Sequence, residues 1–387
     1  MGYVFSAQTS SFFKAKTKAM FIVDNIHELL LSQNLITTNS LINGDYVSTS
    51  ITRRNRNLQI TTLSEGNYLI KQVYDKNSGN AKTVTNEISF YDYLENFCPD
   101  LKQLCPEVKY VDKDSIILIL NFYTNAIPLW KYYKTRTIDK FPLETSAVIG
   151  LFLSKIHAVF SNQNVFNDPE LSFLTRDLPF AFTMYKPTPK LLSYIKPGGL
   201  KLIQQIQSRG DIMDVLQSTE QMWKVNSIIH GDIKLDNFLV IDDPGMDEGG
   251  STNIKIIDWE MAQYGDFAWD IAGVFQDFIF WWAISMPNEK TAKEMVQKAS
   301  FPIDKLKPGV STFWDSYCRN SGLSEQSQTV LLNKVVLFSG LRVLQTAYEI
   351  SSKLEDIPAI AEVLLGIGKS ILRKPKEAAV SLYGIQN

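Results

Sequence analysis

The sequence predicts an α+β fold in which a small, strand-rich lobe is followed by a large, mainly helical lobe. In the first third of the chain, apolar and polar residues alternate over Val47–Thr52, Leu58–Leu63 and Tyr68–Val73, a pattern typical of β-strands. Further along, apolar residues recur at helical spacing, as from Ser146 to Phe160. The length of 387 residues leaves room for two such lobes.

The small lobe is predicted to be a five-stranded antiparallel sheet with one helix. The turn residues Glu65–Asn67 separate the second and third strands, which favours a meander. A helix is then predicted from about Val84 to Asn96, followed by strands near Val108–Val111 and Ser115–Leu120. Ahead of the strands, helical spacing over Phe12–Leu35 predicts an N-terminal helix.

The large lobe is predicted to be helical around two short strands. Predicted helices at Ser146–Phe160, over Gly199–Val225 and from Trp269 onwards surround strands at Asn237–Ile241 and Ile254–Ile257. We therefore predict three parts, which are an N-terminal helical extension 1–44, a strand-rich lobe 45–123 and a helical lobe 124–387.

The charge balance excludes a general electrostatic attraction to nucleic acid. The chain has 39 Lys and Arg against 41 Asp and Glu, a formal net charge of −2, so we expect no nucleic-acid partner. The cysteines Cys98, Cys105 and Cys318 form no C-x-x-C pair, and their number is odd. This cysteine usage is typical of a reducing compartment.

Integral membrane association is not expected from the sequence. The best apolar stretch, Ile271–Met286, is shorter than the ~20 residues of a membrane-spanning helix and contains Asp277. The N-terminus lacks the basic and apolar regions of a signal peptide. Gly2 and Ser6 fit the loose N-myristoylation pattern, which many sequences match by chance. We therefore predict a cytoplasmic protein.

The strongest chemical signal is the run His230-Gly231-Asp232, which leads to Asn237 and later to Asp258. Phosphoryl transfer needs an oriented acceptor hydroxyl and neutralised phosphate charge. Asp232 can accept the proton of a hydroxyl, and Asn237 and Asp258, each next to a predicted strand, can offer oxygen ligands to Mg²⁺. Each residue alone would be a turn or strand-end residue, but their spacing between apolar strands favours the chemical interpretation.

These residues resemble the aminoglycoside phosphotransferase and choline kinase-like family, with its H-G-D-x-x-x-x-N loop and its I-D-W/F-E strand end. The segment Gly265–Ala272 is similar to the G-D-P-x-x-D-L-A segment of that family. The resemblance covers roughly Asp45–Phe280. It implies a bilobal protein-kinase-like fold and an O-phosphotransferase that uses ATP and Mg²⁺. It also implies that Asp270 and His230 support the catalytic loop.

The resemblance extends to the strand-rich lobe. Lys71 lies mid-strand among apolar residues, where an unpaired ammonium would be costly. The family uses such a lysine on the ATP phosphates, and Glu87 in the next helix is its best-placed partner. The alternative is a surface lysine on an edge strand and a solvated helix acid. The adenine edge is expected to meet the backbone groups after the fifth strand, at Asn121, Phe122 and Tyr123.

Two departures from the family pattern affect the phosphate site. The turn after the first strand lacks G-x-G-x-x-G and is basic instead, so Arg54 is a candidate phosphate ligand. A solvated basic turn is an equal alternative. The second departure is Lys234, two residues after the candidate base. Protein serine/threonine kinases place a lysine there that contacts the γ-phosphate, so Lys234 is assigned a catalytic role by resemblance.

The acceptor is left open between a small-molecule hydroxyl and a peptide Ser or Thr. Its site is expected to come from Ser161–Val225 and from the helices after Asp270. Trp281 and Trp282 fit that site or, more simply, the core. The segment that starts at Asp258 looks like related kinases of ribosomal-peptide natural-product pathways. A hypothesis of another class is a pseudokinase or peptide-binding scaffold with a retained nucleotide site.

Overall fold

The computed structural model describes residues 26–51, 56–73, 75–76, 78–131, 143–241, 253–289 and 291–386. This part of the chain forms two compact units. The first takes in the described residues up to Ile88 together with Pro106–Thr124, and the second takes in Ser89–Cys105 and the described residues from Asn125 onwards. The predicted division into 1–44, 45–123 and 124–387 stays a prediction.

The first unit is built on a five-stranded antiparallel sheet. The strands pair in the order β1-β2-β3-β5-β4. Its elements are α1 (Ile26–Ser32), α2 (Thr38–Ile42), β1 (Val47–Ser50), β2 (Arg56–Thr61), β3 (Tyr68–Gln72), α3 (Gly79–Phe97), β4 (Val108–Asp112) and β5 (Ile117–Asn121). Helix α3 belongs to this unit only as far as Ile88. Five strands with one helix after the third are present as predicted.

One face of this sheet packs against helix α1. Because side chains alternate between the faces of a strand, Leu58, Ile70 and Ile119 lie on the same face and form a buried core with Leu29 and Leu30 of α1. Lys71, one residue after Ile70, therefore lies on the opposite face of β3. The apolar alternation of the strands thus sets which way the candidate phosphate ligand points.

The second unit is mainly helical. Its long helix α12 is buried along much of its length and packs against α9 and α13. The helices are α4 (Pro99–Lys102), α5 (Leu143–Phe160), α6 (Pro189–Leu192), α7 (Pro197–Gln207), α8 (Gly210–Gln221), α9 (Phe267–Ile284), α10 (Ala292–Gln297), α11 (Ile303–Ser321), α12 (Glu325–Ser351), α13 (Ala359–Arg373) and α14 (Pro375–Ser381). The predicted α+β fold class is confirmed.

Two small sheets of the second unit carry the segment from His230 to Asp258. One pairs β7 with β10, and the other has the order β6-β8-β9. Their strands are β6 (Ala126–Pro128), β7 (Ser227–Ile229), β8 (Phe238–Ile241), β9 (Asn253–Ile256) and β10 (Gln263–Gly265). The predicted strands at Asn237–Ile241 and Ile254–Ile257 are confirmed to within one residue, whereas the three-residue strands β6 and β10 are too short to show a period.

Two helix predictions need correction. The predicted helix over Gly199–Val225 is two helices, α7 and α8, with a break at Ser208–Arg209. The predicted N-terminal helix over Phe12–Leu35 lies outside the described residues as far as position 25, and its described part ends at Ser32. Asn34 then adopts a left-handed backbone with φ of 55°, which a continuing α-helix does not allow.

Two helices, α5 and α12, are long and apolar enough to cross a membrane by length and composition alone. The sequence expectation concerned uninterrupted apolar runs. It does not conflict with this criterion, because both helices contain charged residues, such as Lys155 in α5 and Lys334 in α12. Half of the most apolar 18-residue segment of α5 and 72% of that of α12 are buried inside the protein. Buried core helices of globular proteins have the same length and composition. Absence of integral membrane association and a cytoplasmic location stay predictions.

Gly150 allows α5 and α11 to approach closely. A Cβ atom at Gly150 would lie 3.0 Å from Cβ of Ser316 and against the carbonyl oxygen of Phe313. We expect Gly150→Ala to lower the free energy of unfolding by about 1–3 kcal/mol through overpacking. The matched control is Gly366→Ala in α13, where a Cβ meets no atom within 4 Å. Since alanine favours helices, we expect that control to gain about 0.5–1 kcal/mol. Urea unfolding measures both, and equal effects would contradict the prediction.

Candidate active site

The loop after β7 contains, at its second position, a residue that must be glycine. Gly231 has a φ of 82°, in the left-handed region that favours glycine. A Cβ atom there would also lie 2.5 Å from the carbonyl oxygen of Met261. Backbone conformation and space therefore both require glycine between His230 and Asp232, and the chain turns sharply into the candidate catalytic residues.

His230 is held by backbone groups on both ring nitrogens. Its Nδ1 accepts a hydrogen bond from the amide of Asp232 at 3.3 Å, and its Nε2 lies 2.9 Å from the carbonyl oxygen of Ile257. Because an amide only donates and a carbonyl only accepts, the ring is neutral with its proton on Nε2. The buried ring also packs against Trp259, with centroids 4.6 Å apart. These contacts support the expectation that His230 holds the loop.

Asp270 binds the start of the same loop from helix α9. Its carboxylate accepts hydrogen bonds from the backbone amides of His230 at 2.7 Å and Gly231 at 3.0 Å. Nε2 of His157 lies 3.4 Å from Oδ2 of Asp270, and Nδ1 of the same ring lies 3.0 Å from the hydroxyl oxygen of Tyr317. Burial by itself raises the pKa of Asp270, but the hydrogen bonds from His157 and from the amide of His230 outweigh it and lower the pKa. Asp270 thus stays an acceptor inside the protein.

The candidate base Asp232 is held by two neighbours on its own loop. Nζ of Lys234 lies 2.5 Å from Oδ2 of Asp232. Nδ2 of Asn237 donates to the backbone oxygen of Asp232 at 2.8 Å and approaches its Oδ2 at 3.4 Å. Burial favours the neutral form of Lys234, but the adjacent carboxylates of Asp232, Asp258 and Asp236 raise its pKa overall. Lys234 therefore stays a cation beside Asp232.

The pairing of β8 with β9 holds Asn237 and Asp258 at one end of the hairpin. Phe238 at the start of β8 is opposite Ile256 at the end of β9, and the amide of Ile257 donates to the oxygen of Asn237 at 3.0 Å. Asp258 follows with a left-handed φ of 69°, which Asp tolerates better than bulky residues. The strand register thus brings the two candidate metal ligands to neighbouring positions.

The donor chemistry of Asn237 and Asp258 fits Mg²⁺. Because Nδ2 of Asn237 donates to the backbone carbonyl oxygen of Asp232, Oδ1 of Asn237 points away from that oxygen. Among the described residues, no group of three or more His, Cys, Asp or Glu could hold a metal ion. An all-protein cage is not needed, since Mg²⁺ is usually bound through one or two carboxylates together with water and substrate phosphates.

The first unit pairs Lys71 with Glu87. Nζ of Lys71 lies 2.8 Å and 2.7 Å from the two carboxylate oxygens of Glu87, and the side chains are 10% and 0% exposed. Glu87 stands on α3 and Lys71 on the sheet face opposite α1. A two-pronged, buried ion pair fixes the ammonium in one position. The expected surface-lysine alternative does not describe this geometry.

The three residues expected to bind the adenine differ in which of their backbone groups are already hydrogen-bonded. The amide of Asn121 donates to the oxygen of Glu107 at 2.8 Å, and the amide of Phe122 donates to the oxygen of Asn67 at 2.8 Å. These two amides are therefore already used within the first unit. Their carbonyl oxygens and the backbone of Tyr123 are the groups left for the adenine edge. Arg54 lies outside the described residues.

Two further charged residues bind the loop, and sequence reasoning missed both. Oδ2 of Asp277 accepts from the amide of Leu235 at 2.5 Å, and Nη2 of Arg342 donates to the carbonyl oxygen of Ile233 at 2.9 Å. The available signal was a charged residue inside an apolar, buried helix, which needs a partner. Spacing alone does not identify that partner.

A cavity of about 570 Å³ opens beside the candidate base within the second unit. It combines acidic, basic and apolar side chains. The lining residues are Asp232, Lys234, Asp236, Gln276, Asp277, Phe280, Trp281, Arg342, Gln345, Thr346, Glu349, Ile350, Lys353 and Leu354. Trp281 is half-buried and stacks on Trp130 with centroids 6.0 Å apart, whereas Trp282 is buried in the core. The helices after Asp270 thus line this cavity, and the two tryptophans have different environments.

The chain is similar to known phosphotransferases. A family model described as the phosphotransferase enzyme family matches residues 50–301, more than half of the chain. No curated protein matches it in sequence.

Among solved structures, an ethanolamine kinase of Plasmodium vivax matches 95% of this chain and 95% of its own, with a TM-score of 0.55 and 14% identity. A choline kinase from Cryptosporidium parvum matches over 91% and 96% of the two chains, with a TM-score of 0.52 and 14% identity. An amicoumacin kinase in complex with AMP-PNP and Ca²⁺ matches over 94% and 96%, with a TM-score of 0.53 and 13% identity. At these identities the likeness concerns the fold.

The environment of Asp277 predicts a pH-dependent stability. Burial and the charge of Asp236 raise the pKa of Asp277 from 3.8 to about 7, against the opposing effects of the Leu235 amide, Arg342 and Lys234. Between these two values the folded state binds more protons than the unfolded state. The contribution of this carboxyl to stability is therefore greatest below its unfolded pKa and is lost as the pH rises through about 7.

We expect the neutral Asp277→Asn variant to gain stability relative to the wild type as the pH rises from about 4 to about 7. Urea unfolding at a series of pH values measures the difference. Asp304→Asn is the matched control, because that side chain is 79% exposed. A constant difference between Asp277→Asn and the wild type over this pH range would contradict the prediction.

Proposed function

This chain belongs to the phosphotransferase enzyme family, and we propose that it transfers the γ-phosphate of Mg-ATP to a hydroxyl group with Asp232 as the base. The observation that carries the proposal is the carboxylate of Asp232, oriented by Lys234 at 2.5 Å on a loop that Asp270 holds by two backbone amides. Family membership argues against a scaffold without chemistry.

The proposed reaction needs one proton acceptor. As the acceptor oxygen attacks the γ-phosphorus, its proton passes to the carboxylate of Asp232. The bond between the γ-phosphorus and the β–γ bridging oxygen breaks, and ADP leaves. Lys234, a cation beside Asp232, is assigned to the γ-phosphate oxygens, where its charge balances the charge of the transferred group.

Asn237 and Asp258 are the proposed metal ligands. When bound, Mg²⁺ would neutralise the charge of the phosphate oxygens. The oxygen donors and the hairpin register that holds them support this assignment. The amicoumacin kinase structure with AMP-PNP and Ca²⁺ supports the use of a nucleotide and a divalent cation in this fold.

Lys71 is the proposed ligand of the α- and β-phosphates, with Glu87 as the residue that fixes its position. The buried ion pair supports this assignment, because a pre-positioned ammonium loses little freedom when it binds phosphate. Backbone groups of Asn121, Phe122 and Tyr123 are proposed for the adenine edge, and Arg54 is retained as a proposed phosphate ligand from the sequence alone.

A small molecule is the first candidate acceptor. The cavity beside Asp232 has about 570 Å³, and small-molecule sites typically have about 300–1,000 Å³. The similar ethanolamine, choline and amicoumacin kinases are named for small molecules. A peptide Ser or Thr is the second candidate, and Lys234 is the feature that favours it. Incubation with γ-labelled ATP distinguishes the two candidates. One set of reactions contains small hydroxyl compounds, the other contains precursor peptides encoded by neighbouring genes, and the acceptor is the compound that becomes labelled.

Replacing Asp232 by Asn removes the proposed base and retains the side-chain shape. We expect kcat for phosphate transfer to fall about 10²–10⁴-fold, the usual contribution of a general base. Release of labelled phosphate or product from γ-labelled ATP measures the rate. The control Asp304→Asn makes the same chemical change at an exposed site of the second unit. A wild-type rate in the Asp232→Asn variant would exclude Asp232 as the base.

Replacing Asp258 by Ala removes the only carboxylate among the proposed metal ligands. The wild type is expected to gain thermal stability with ATP and Mg²⁺, because a ligand that binds the folded state stabilises it. We expect Asp258→Ala to lose most of the Mg²⁺-dependent part of this shift, whereas Asp232→Asn retains it. Thermal unfolding with ATP, with and without Mg²⁺, measures the effect. An unchanged Mg²⁺-dependent shift in Asp258→Ala would refute the assignment.

A further inference from the structure

The backbone on either side of Lys234 is held by two buried charged side chains from different helices. Arg342 of α12 donates to the carbonyl oxygen of Ile233 at 2.9 Å. Asp277 of α9 accepts from the amide of Leu235 at 2.5 Å. The two peptide groups that flank Lys234 are therefore both fixed by hydrogen bonds to buried side chains, one from α9 and one from α12.

Arg342 is itself fixed by its surroundings. Its guanidinium stacks over the ring of Trp269 at 4.7 Å, and Nε1 of Trp269 donates to the carbonyl oxygen of Gly231 at 3.1 Å. Gly273 on α9 provides the space, since a Cβ there would lie 2.5 Å from the oxygen of Ile233 and 3.2 Å from Cζ of Arg342. The arginine, the tryptophan and this glycine together allow α9 and α12 to bind one short stretch of loop.

We propose that Asp277 and Arg342 are positioning residues that fix the backbone of Lys234 and thereby hold its ammonium beside Asp232. This inference rests on the proposed function, in which Lys234 contacts the γ-phosphate. Lys234 has a long, flexible side chain whose reach is set by the position of its Cα atom. Two anchors, one on each adjacent peptide group, keep that Cα atom in place more firmly than a single anchor.

The burial of the two side chains supports the proposal. Both are less than a tenth exposed, and a buried polar side chain is costly unless it is hydrogen-bonded, as both of these are to the loop. Asp270 anchors the loop before Asp232, and this pair anchors it after Asp232.

The test is a double-mutant cycle on the complete chain, with hydrolysis of γ-labelled Mg-ATP by water as the reaction. We expect Arg342→Met and Asp277→Leu each to lower kcat about 10- to 100-fold, the effect of losing a hydrogen bond to a charged group. In a Lys234→Met background, the same changes should have almost no further effect, because they act through Lys234. Asp277→Asn keeps an oxygen acceptor for Leu235 and should recover most of the rate of the wild type.

The matched control is Ser339→Ala. Ser339 is a buried residue of α12, the helix of Arg342, and its hydroxyl is 2.8 Å from that of Tyr383, away from the loop. We expect the Ser339→Ala variant to be less stable than the wild type and to have the same kcat. Hydrogen exchange of the Leu235 amide, measured by mass spectrometry, needs no turnover and should be faster in Asp277→Leu than in Asp277→Asn and the wild type.

Two results would overturn the proposal: effects that add fully to that of Lys234→Met, or unchanged kcat and unchanged Leu235 exchange in the single variants. The proposed function fails separately, if Asp232→Asn hydrolyses ATP at the wild-type rate. In that case the exchange experiment still decides whether Asp277 anchors the loop.

Discussion

The buried carboxylate of Asp270 is the constraint on which the candidate site depends. It accepts the amides of His230 and Gly231, two adjacent peptide groups that the tight turn at Gly231 leaves outside any strand or helix. A buried amide without a partner costs about 1–3 kcal/mol. Asp270 therefore stabilises a turn that would otherwise be unfavourable, and it does so from α9, a helix buried on nearly all sides. The direction of Asp232 follows from this turn.

The rest of the loop adds further anchors to the same turn. His230 is bound through both ring nitrogens, and Asn237 returns to the backbone oxygen of Asp232. The hairpin of β8 and β9 then sets Asp258 next to Asn237. Local hydrogen bonds thus determine which side chains meet, while the helices behind them supply the burial that makes those bonds strong.

The sequence was sufficient for the parts of the fold and site that depend on local pattern. Alternation predicted the first three strands of the first unit, and a continuous apolar run predicted the fifth. A lysine inside an apolar strand predicted that Lys71 needs a partner such as Glu87. The turn from His230 to Asn237 was visible because its residues are close in sequence.

The missing parts depend on contacts between residues far apart in sequence. Arg342 meets Ile233 across 109 positions and Asp277 meets Leu235 across 42, and neither spacing follows from a period. The three-residue strands β6 and β10 exist because neighbouring strands pair with them, and not because of their own composition. The break between α7 and α8 interrupts a stretch that the apolar pattern alone presents as one continuous helix.

The measurement that tests the account most directly is single-turnover phosphate transfer from γ-labelled Mg-ATP by the Asp270→Asn variant. The amide keeps one oxygen and replaces the other acceptor by a donor, so one of the two loop amides loses its partner. The account predicts a transfer rate about 10- to 100-fold below that of the wild type, with an unchanged dissociation constant for Mg-ATP. A wild-type transfer rate in this variant would show that the loop conformation does not depend on Asp270.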